Sequence, residues 1–235
     1  MFININPATV LWRGGGILAA AGFVFLEGVR EITRDNDVLL IFDEIITGFR
    51  MGKGGAQEYF GVTPDLCTLG KSMGGGTTIS AFCGRREIME HVAPLGNSAH
   101  GGTYNGHLIT VLAANAAMDE YSRPGFYDQI NALGNRLYNG MKEIIRGLDA
   151  PMQLPGCGAR FGIFCGIKDE VTNYREALNH DIDMMLRFVK AMIDRGVYFH
   201  DYSGLPAHHG FSSAHTIEDI DMVLDAVEGA VKEIS

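Results

Sequence analysis

Asp43 and Glu44 directly follow the apolar run Val38–Phe42, and Lys71 follows a second apolar run, Leu66–Leu69. A continuous apolar run of this length reads as a parallel strand covered on both faces. Ligands of open α/β sheets bind at the carboxyl ends of such strands. If the two strands lie side by side, an acid and an amine face one crevice, and Gly74-Gly75-Gly76 gives a ligand backbone access. The structural alternative is that Asp43 caps the turn after its strand and Lys71 is a solvated loop lysine. Both readings stand on these residues alone.

A lysine in that position suits few chemistries. Gly70-Lys71-Ser72 is no phosphate-binding loop, because Asp65 occupies the position where that motif needs a glycine, and three glycines forbid an immediate long helix. A lysine nucleophile that forms a Schiff base fits, since a partly desolvated amine deprotonates more easily and attacks carbonyls. An acid in the same crevice suits a cofactor with a basic ring nitrogen.

The elements that must hold these residues follow from periodicity. Phe23, Leu26, Val29 and Ile32 recur at helical spacing, predicting a helix over Phe23–Arg34 ahead of the first strand. Thr78–Gly84 is a third candidate strand, and His107–Tyr121 a helix opened by the polar turn Thr103–Gly106. Helix, strand, turn and strand with glycine-rich connections indicate an α/β sheet. Near Ser122–Gly125 the texture changes: Pro124 can begin a helix, and Tyr127, Ile130, Leu133, Leu137, Met141 and Ile145 keep helical spacing to Gly147. That places a boundary after residue 123, with a bridging helix opening the second part, 124–235. Strand-like runs at Ala159–Ile167 and Val197–Tyr202, a helix over Tyr174–Arg195, and a last helix boxed by Thr216 and Asp219 make that part a small α+β domain. Met184, Met185 and Met192 are helix-spaced core residues.

Composition bounds the rest. The chain has 235 residues, 46% hydrophobic and 20% charged, with a net charge of -9, which excludes wholesale disorder and argues against nucleic acid or an anionic membrane as partner. Ile17–Leu26 is too short to span a bilayer and lacks the features of a signal peptide, so it reads as a loop feeding a helix. Cys67, Cys83, Cys157 and Cys165 fit no zinc spacing and read as reduced, buried thiols of a cytoplasmic protein. His200, His208, His209 and His215 match no metal-ligand pattern either. Adjacent His208 and His209 point different ways on a strand, so at most one lines a substrate pocket.

Several motifs carry a resemblance in order and at consistent spacing. These are Ile41-Phe42-Asp43-Glu44-Ile45-Ile46-Thr47-Gly48-Phe49-Arg50, Thr63-Pro64-Asp65, Leu69-Gly70-Lys71-Ser72-Met73-Gly74-Gly75-Gly76, His100–His107 and Gly210–Thr216. Together they resemble the class III aminotransferases that use pyridoxal 5'-phosphate, and within them the glutamate-1-semialdehyde aminomutase-like branch. The resemblance implies an α/β fold of the pyridoxal-phosphate-dependent aminotransferase type: part of a large domain with a mainly parallel sheet (1–123), then a small α+β domain.

By that resemblance Lys71 holds the cofactor as a Schiff base and shuttles a proton. Asp43 pairs with the pyridine nitrogen, Ile45 packs beneath the ring, and Thr103 reaches the phosphate of a neighbouring subunit's cofactor in a homodimer. The implied reaction moves an amino group between a small-molecule amino donor and a keto acid or aldehyde, or within one molecule in an aminomutase. No metal is implied. Many transaminases of this class carry glutamine where Ile46 stands; an apolar residue there resembles the aminomutase-like branch. The family's large domain begins well before Met1, and Met1–Leu11 does not resemble the strand expected there. A truncated, non-catalytic chain that keeps the fold is therefore the alternative of a different class.

Overall fold

The computed structural model describes residues 1–5, 23–199, 204, 206 and 208–234. They fall into two compact units that divide between Pro124 and Gly125.

In the first unit, β1 (Phe2–Ile5), β2 (Leu39–Asp43), β3 (Leu66–Leu69) and β4 (Ala81–Gly84) form one sheet in the order β1-β2-β3-β4. The β1–β2 and β2–β3 pairs are parallel and β3–β4 is antiparallel. Residues 2–5 thus form a strand where none was expected: Phe2 pairs with Leu39 and Ile5 with Phe42. The local pattern of four residues is too short to show that pairing, which β2 supplies from across the sheet. Residues 6–11 and 17–22 lie outside the described residues.

Helix α1 (Phe23–Asp35) and α2 (Gly55–Phe60) pack on one face of this sheet, where Leu26, Leu40, Phe42, Ala56, Phe60, Val62 and Cys67 form a buried cluster. Fully burying side chains such as Leu26, Leu40 and Phe42 stabilises by about 1.5–3 kcal/mol each. Strand β2 alternates: Leu40 and Phe42 are buried, Leu39, Ile41 and Asp43 half-buried. The expectation of two equally covered faces is met on the α1–α2 face only. Asp65, itself buried, fastens the sheet, accepting from the Leu40 N–H at 2.7 Å and from Arg30 at 3.0 Å. A one-turn helix, α3 (Arg86–Met89), and α4 (Leu108–Tyr121) complete the unit.

The turn after β2 is built around a buried carboxylate. Glu44 is fully buried, yet all its oxygens are used. Oε2 accepts from the Thr47 hydroxyl (3.0 Å) and the Ala56 N–H (2.6 Å), and Oε1 from the Gln57 N–H (3.2 Å) and side-chain amide (2.9 Å). A buried carboxylate without such donors would cost several kcal/mol. Gly55 has φ +66°, and a Cβ there would fall 2.2 Å from Glu44 Oε2.

In the second unit, α5 (Phe126–Gly147) and α8 (Ile217–Ile234) pack closely, with Leu224 seated on Gly140. Short strands β5 (Met152–Gln153) and β8 (Phe164–Cys165) pair, as do β6 (Gly156–Cys157), β7 (Arg160–Gly162) and β9 (His208–Gly210). The strand expected over Ala159–Ile167 is therefore split between two sheets at Ile163. Of Val197–Tyr202, residues 197–199 join no ladder and the rest lies outside the described residues.

Tyr174–Arg195, read as one helix, is two: α6 (Tyr174–Ala177) and α7 (Ile182–Asp194). The helical hydrogen-bond ladder is diverted at the break. Asp181 donates its N–H to the Cys165 carbonyl (2.9 Å) and caps α7 by accepting from the Met184 N–H (2.9 Å). His180 Nδ1 accepts from the Cys165 N–H at 3.0 Å, and Nε2 lies 2.9 Å from the Gly204 carbonyl. The capping box at α8 forms as expected, Thr216 and Asp219 each accepting from the other's N–H. Met184, Met185 and Met192 are core.

Two outcomes follow from these packing details. Gly55→Ala forces a left-handed backbone on alanine and a methyl onto the Glu44 carboxylate, so chemical denaturation should show a loss of at least about 2 kcal/mol. His180 is held below its ordinary 6.5, first by burial, against smaller opposing effects of Gly204 and Asp181. The unfolded chain then takes the proton first as pH falls, so stability drops below pH 6.5 until the native value is passed. A His180→Asn variant should flatten that pH dependence in denaturant titrations; an unchanged slope would count against the role given to His180.

Candidate active site

Strands β2 and β3 are hydrogen-bonded neighbours running in the same direction, with Ile41 opposite Leu66, Phe42 opposite Cys67 and Asp43 opposite Thr68. The condition set by the sequence is met: Asp43 and Lys71 leave the carboxyl ends of adjacent parallel strands. Ile45 joins them, because its Cγ2 lies 3.6 Å from where a Cβ on Gly70 would stand, one residue before Lys71.

Asp43 caps the turn after its strand, the structural alternative weighed for it. Its Oδ1 accepts from the Ile45 N–H at 3.1 Å, which closes the turn, and from the Thr68 hydroxyl at 3.3 Å. These bonds fix the carboxylate and leave Oδ2 with no hydrogen-bond partner among the described residues. Thr68 was not singled out from sequence; only the β2–β3 register places it opposite the aspartate.

Lys71 opens a single 3-10 turn, Lys71–Gly74, and has φ +47°, in the left-handed region that side chains other than glycine rarely occupy. Such a conformation costs about 1–3 kcal/mol and persists only where neighbours impose it. Here they do. The Tyr121 hydroxyl donates to the Ser72 carbonyl at 2.7 Å, the Thr77 hydroxyl donates to the Gly74 carbonyl at 2.8 Å, and Gly75 packs on α4 so closely that a Cβ would lie 3.1 Å from Ala117 Cβ. Burial raises the Tyr121 phenol, with the Arg50 cation opposing, so the hydroxyl stays protonated and able to donate. Burial in turn lowers Arg50. Of the glycine triplet, Gly74 is buried against Thr77 and Ile79, Gly75 is exposed but its Cβ side meets α4, and Gly76, at φ +101°, is exposed with nothing beside its Cβ position. The triplet shapes the turn.

Thr103 is exposed in the turn Thr103–Gly106, beyond the N-terminal end of α4, whereas Tyr121 under the lysine turn closes its C-terminal end. The structure thus brings Asp43, Ile45 and Lys71 to one sheet edge, and Thr103 elsewhere. His209 is buried between Phe161 and Phe199, with ring centroids 5.3 and 5.1 Å away, which makes it part of the second unit's aromatic core. Among the described residues no group of three or more His, Cys, Asp or Glu gathers as a metal site would, and no helix is long and apolar enough to cross a membrane.

A glutamate-1-semialdehyde 2,1-aminomutase of Ruminiclostridium cellulolyticum is 42% identical over 212 residues, covering 89% of this chain and 48% of that protein. An omega-transaminase from Sphaerobacter thermophilus has a similar fold, with TM-score 0.82 and 30% identity, over 98% of this chain and 51% of the other. A transaminase with PLP bound superposes at TM-score 0.80 with 22% identity over 98% of this chain and 51% of its own, a likeness of fold alone. This chain therefore spans about half the length of the proteins it matches. The pattern of the class-III aminotransferases matches residues 9–227, and the chain belongs to that family.

Proposed function

We propose that this chain carries the lysine-bearing half of a site for pyridoxal-phosphate-dependent amino-group transfer. The observation that supports the reading is the shared edge of β2 and β3, where Asp43 ends one strand, Lys71 follows the other, and Ile45 lies beside Gly70. The residues fit the cofactor. Asp43 Oδ2 is an oriented acceptor for a ring N–H, Ile45 offers an apolar surface beneath a ring, and Lys71 extends an amine from a turn held against α4. When bound, the cofactor supplies an electron sink for a carbanion next to the transferred amine. Asp43 keeps the ring nitrogen protonated, and Lys71 Nζ takes the proton from the substrate carbon and returns it at the next step, acting as base and then acid.

Transfer within one molecule is favoured over transfer between two, because the 42% identical relative is named an aminomutase and Ile46 is the apolar residue expected of that branch. The substrate is then a small amino aldehyde, handled in the cytoplasm.

Thr103 serves a second copy of the chain in this reading. It stands on an exposed turn away from its own Lys71, and its neighbours Leu108, Ile109 and Leu112 are 68%, 67% and 57% exposed on α4. Three large apolar side chains on one exposed helix suit burial against a partner subunit. Sedimentation should find a dimer, and Leu112→Glu should shift it to monomer; a parent chain that is monomeric at high concentration would remove the second copy from the site.

The cofactor assignment is tested by adding pyridoxal phosphate to the purified chain, reducing with borohydride and mapping the adduct. Lys71 should carry the cofactor mass together with a change in visible absorption, and Lys71→Ala should lose both. No adduct in the parent chain would favour a non-catalytic fold; an undiminished adduct in the variant would sink the role given to Lys71.

A further inference from the structure

The face of β3 and β4 opposite Asp43 carries a second reactive group. Cys67 and Cys83 stand directly across the antiparallel β3–β4 pair, and their sulfurs are 3.2 Å apart. Directly opposed residues of an antiparallel ladder have Cα atoms about 4.5–5.5 Å apart, inside the range of about 4.4–6.8 Å that a disulfide bridges. The backbone therefore need not move for these sulfurs to bond. Both thiols are free; Cys67 is buried as expected, whereas Cys83 is exposed because β4 leaves its side chain uncovered. A cavity of about 490 Å³ reaches them, lined also by Glu44, Lys53, Gln57 and Arg85. Lys53 puts a cation on its wall, while Arg85 is already paired with Asp65 and Glu87.

We propose that Cys67 and Cys83 form a reversible redox site that a low-molecular-weight peptide disulfide oxidises to an intrachain cystine. The Cys83 thiolate attacks one sulfur of the oxidant. The oxidant's S–S bond breaks, one thiolate leaves and takes a proton, and Cys83 holds a mixed disulfide. Cys67 then gives up its proton and attacks Cys83 Sγ, expelling the second thiolate. Two cysteine thiols lose two electrons and two protons, and one oxidant disulfide becomes two thiols.

The order of events follows from the surroundings. Burial, and then the hydrogen bond and charge of Cys83, push the Cys67 thiol up to about 12; a hydrogen bond from Gln57 lowers it and the Glu44 charge raises it. Cys67 is therefore a poor first nucleophile. Once Cys83 is bonded to a leaving sulfur, its contributions to that shift disappear and the resolving step becomes easier. The bond closes a loop between residues sixteen positions apart, and Lys71 lies within it. The site stands on the strand register alone and does not depend on the cofactor reading.

The test uses the whole reduced chain incubated with oxidised glutathione, quenched with N-ethylmaleimide in denaturant and digested with trypsin. Cleavage after Lys53, Lys71 and Arg85 separates Cys67 and Cys83 into peptides 54–71 and 72–85. The expected result is those two peptides linked, a mass loss of two hydrogens reversed by dithiothreitol, and maleimide retained on Cys157 and Cys165. Linkage should be roughly tenfold or more faster in the folded chain than in the urea-unfolded chain, where loop closure is no longer prepaid. Cys67→Ser should leave a lasting glutathione adduct on Cys83, and Cys83→Ser should leave Cys67 unreacted. Equal rates folded and unfolded, a lasting adduct on Cys83 in the parent chain, or linkage to Cys157 or Cys165 would overturn the proposal.

Discussion

The register between β2 and β3 is the constraint on which the rest depends. Side chains alternate along a strand, so one set of pairings assigns every residue to a face, and a slip by one residue would exchange the faces. With Phe42 opposite Cys67 and Asp43 opposite Thr68, Leu40, Phe42 and Cys67 face α1 and α2, while Asp43 and Thr68 face the other way. The apolar burial on one side enforces the hydrogen bond on the other. The Asp43–Thr68 contact follows from this alignment and the Cys67–Cys83 pair from the neighbouring β3–β4 register, and the two use opposite faces of β3.

The adjacent carboxylates Asp43 and Glu44 show how the chain separates structural from chemical use of the same group. Glu44 is turned inward and saturated by four donors from Thr47, Ala56 and Gln57. That saturation closes the turn after β2 and needs a left-handed glycine at residue 55. Asp43, one residue earlier, receives two bonds on a single oxygen and keeps the second oxygen for another partner. A saturated Asp43 would be only a cap. The stiff turn built by Glu44 is what allows Asp43 to remain incompletely used.

Much of this was legible in the sequence because it was local. The apolar runs that became β2 and β3, the helices at Phe23, Leu108 and Phe126, and the box at Thr216 and Asp219 are written in neighbouring residues. So was the placement of Asp43 at the end of β2 and of Lys71 two residues after β3. What was not legible depends on distant partners. Residues 2–5 become a strand only by pairing with β2, and the helix breaks near His180 only because Cys165 competes for the backbone. Cysteine spacing does not reveal a cross-strand pair sixteen residues apart; that needs the turn between β3 and β4 to be known. The Thr68–Asp43 hydrogen bond was equally hidden, since it spans 25 positions.

Lys71 joins these levels. A left-handed lysine is unfavourable by itself, and nothing in Gly70-Lys71-Ser72 announces it. The conformation is held from below by α4: Tyr121 ties the Ser72 carbonyl, and Gly75 docks on Ala117. Helix α4 meets the lysine turn with one side and leaves Leu108, Ile109 and Leu112 exposed on another. In the dimer reading, that second apolar side is the one a partner subunit buries. Whatever covers that second side presses on the element that sets the backbone of Lys71. In the dimer reading, assembly and lysine geometry are therefore linked through one helix, because the same rigid body carries both contacts.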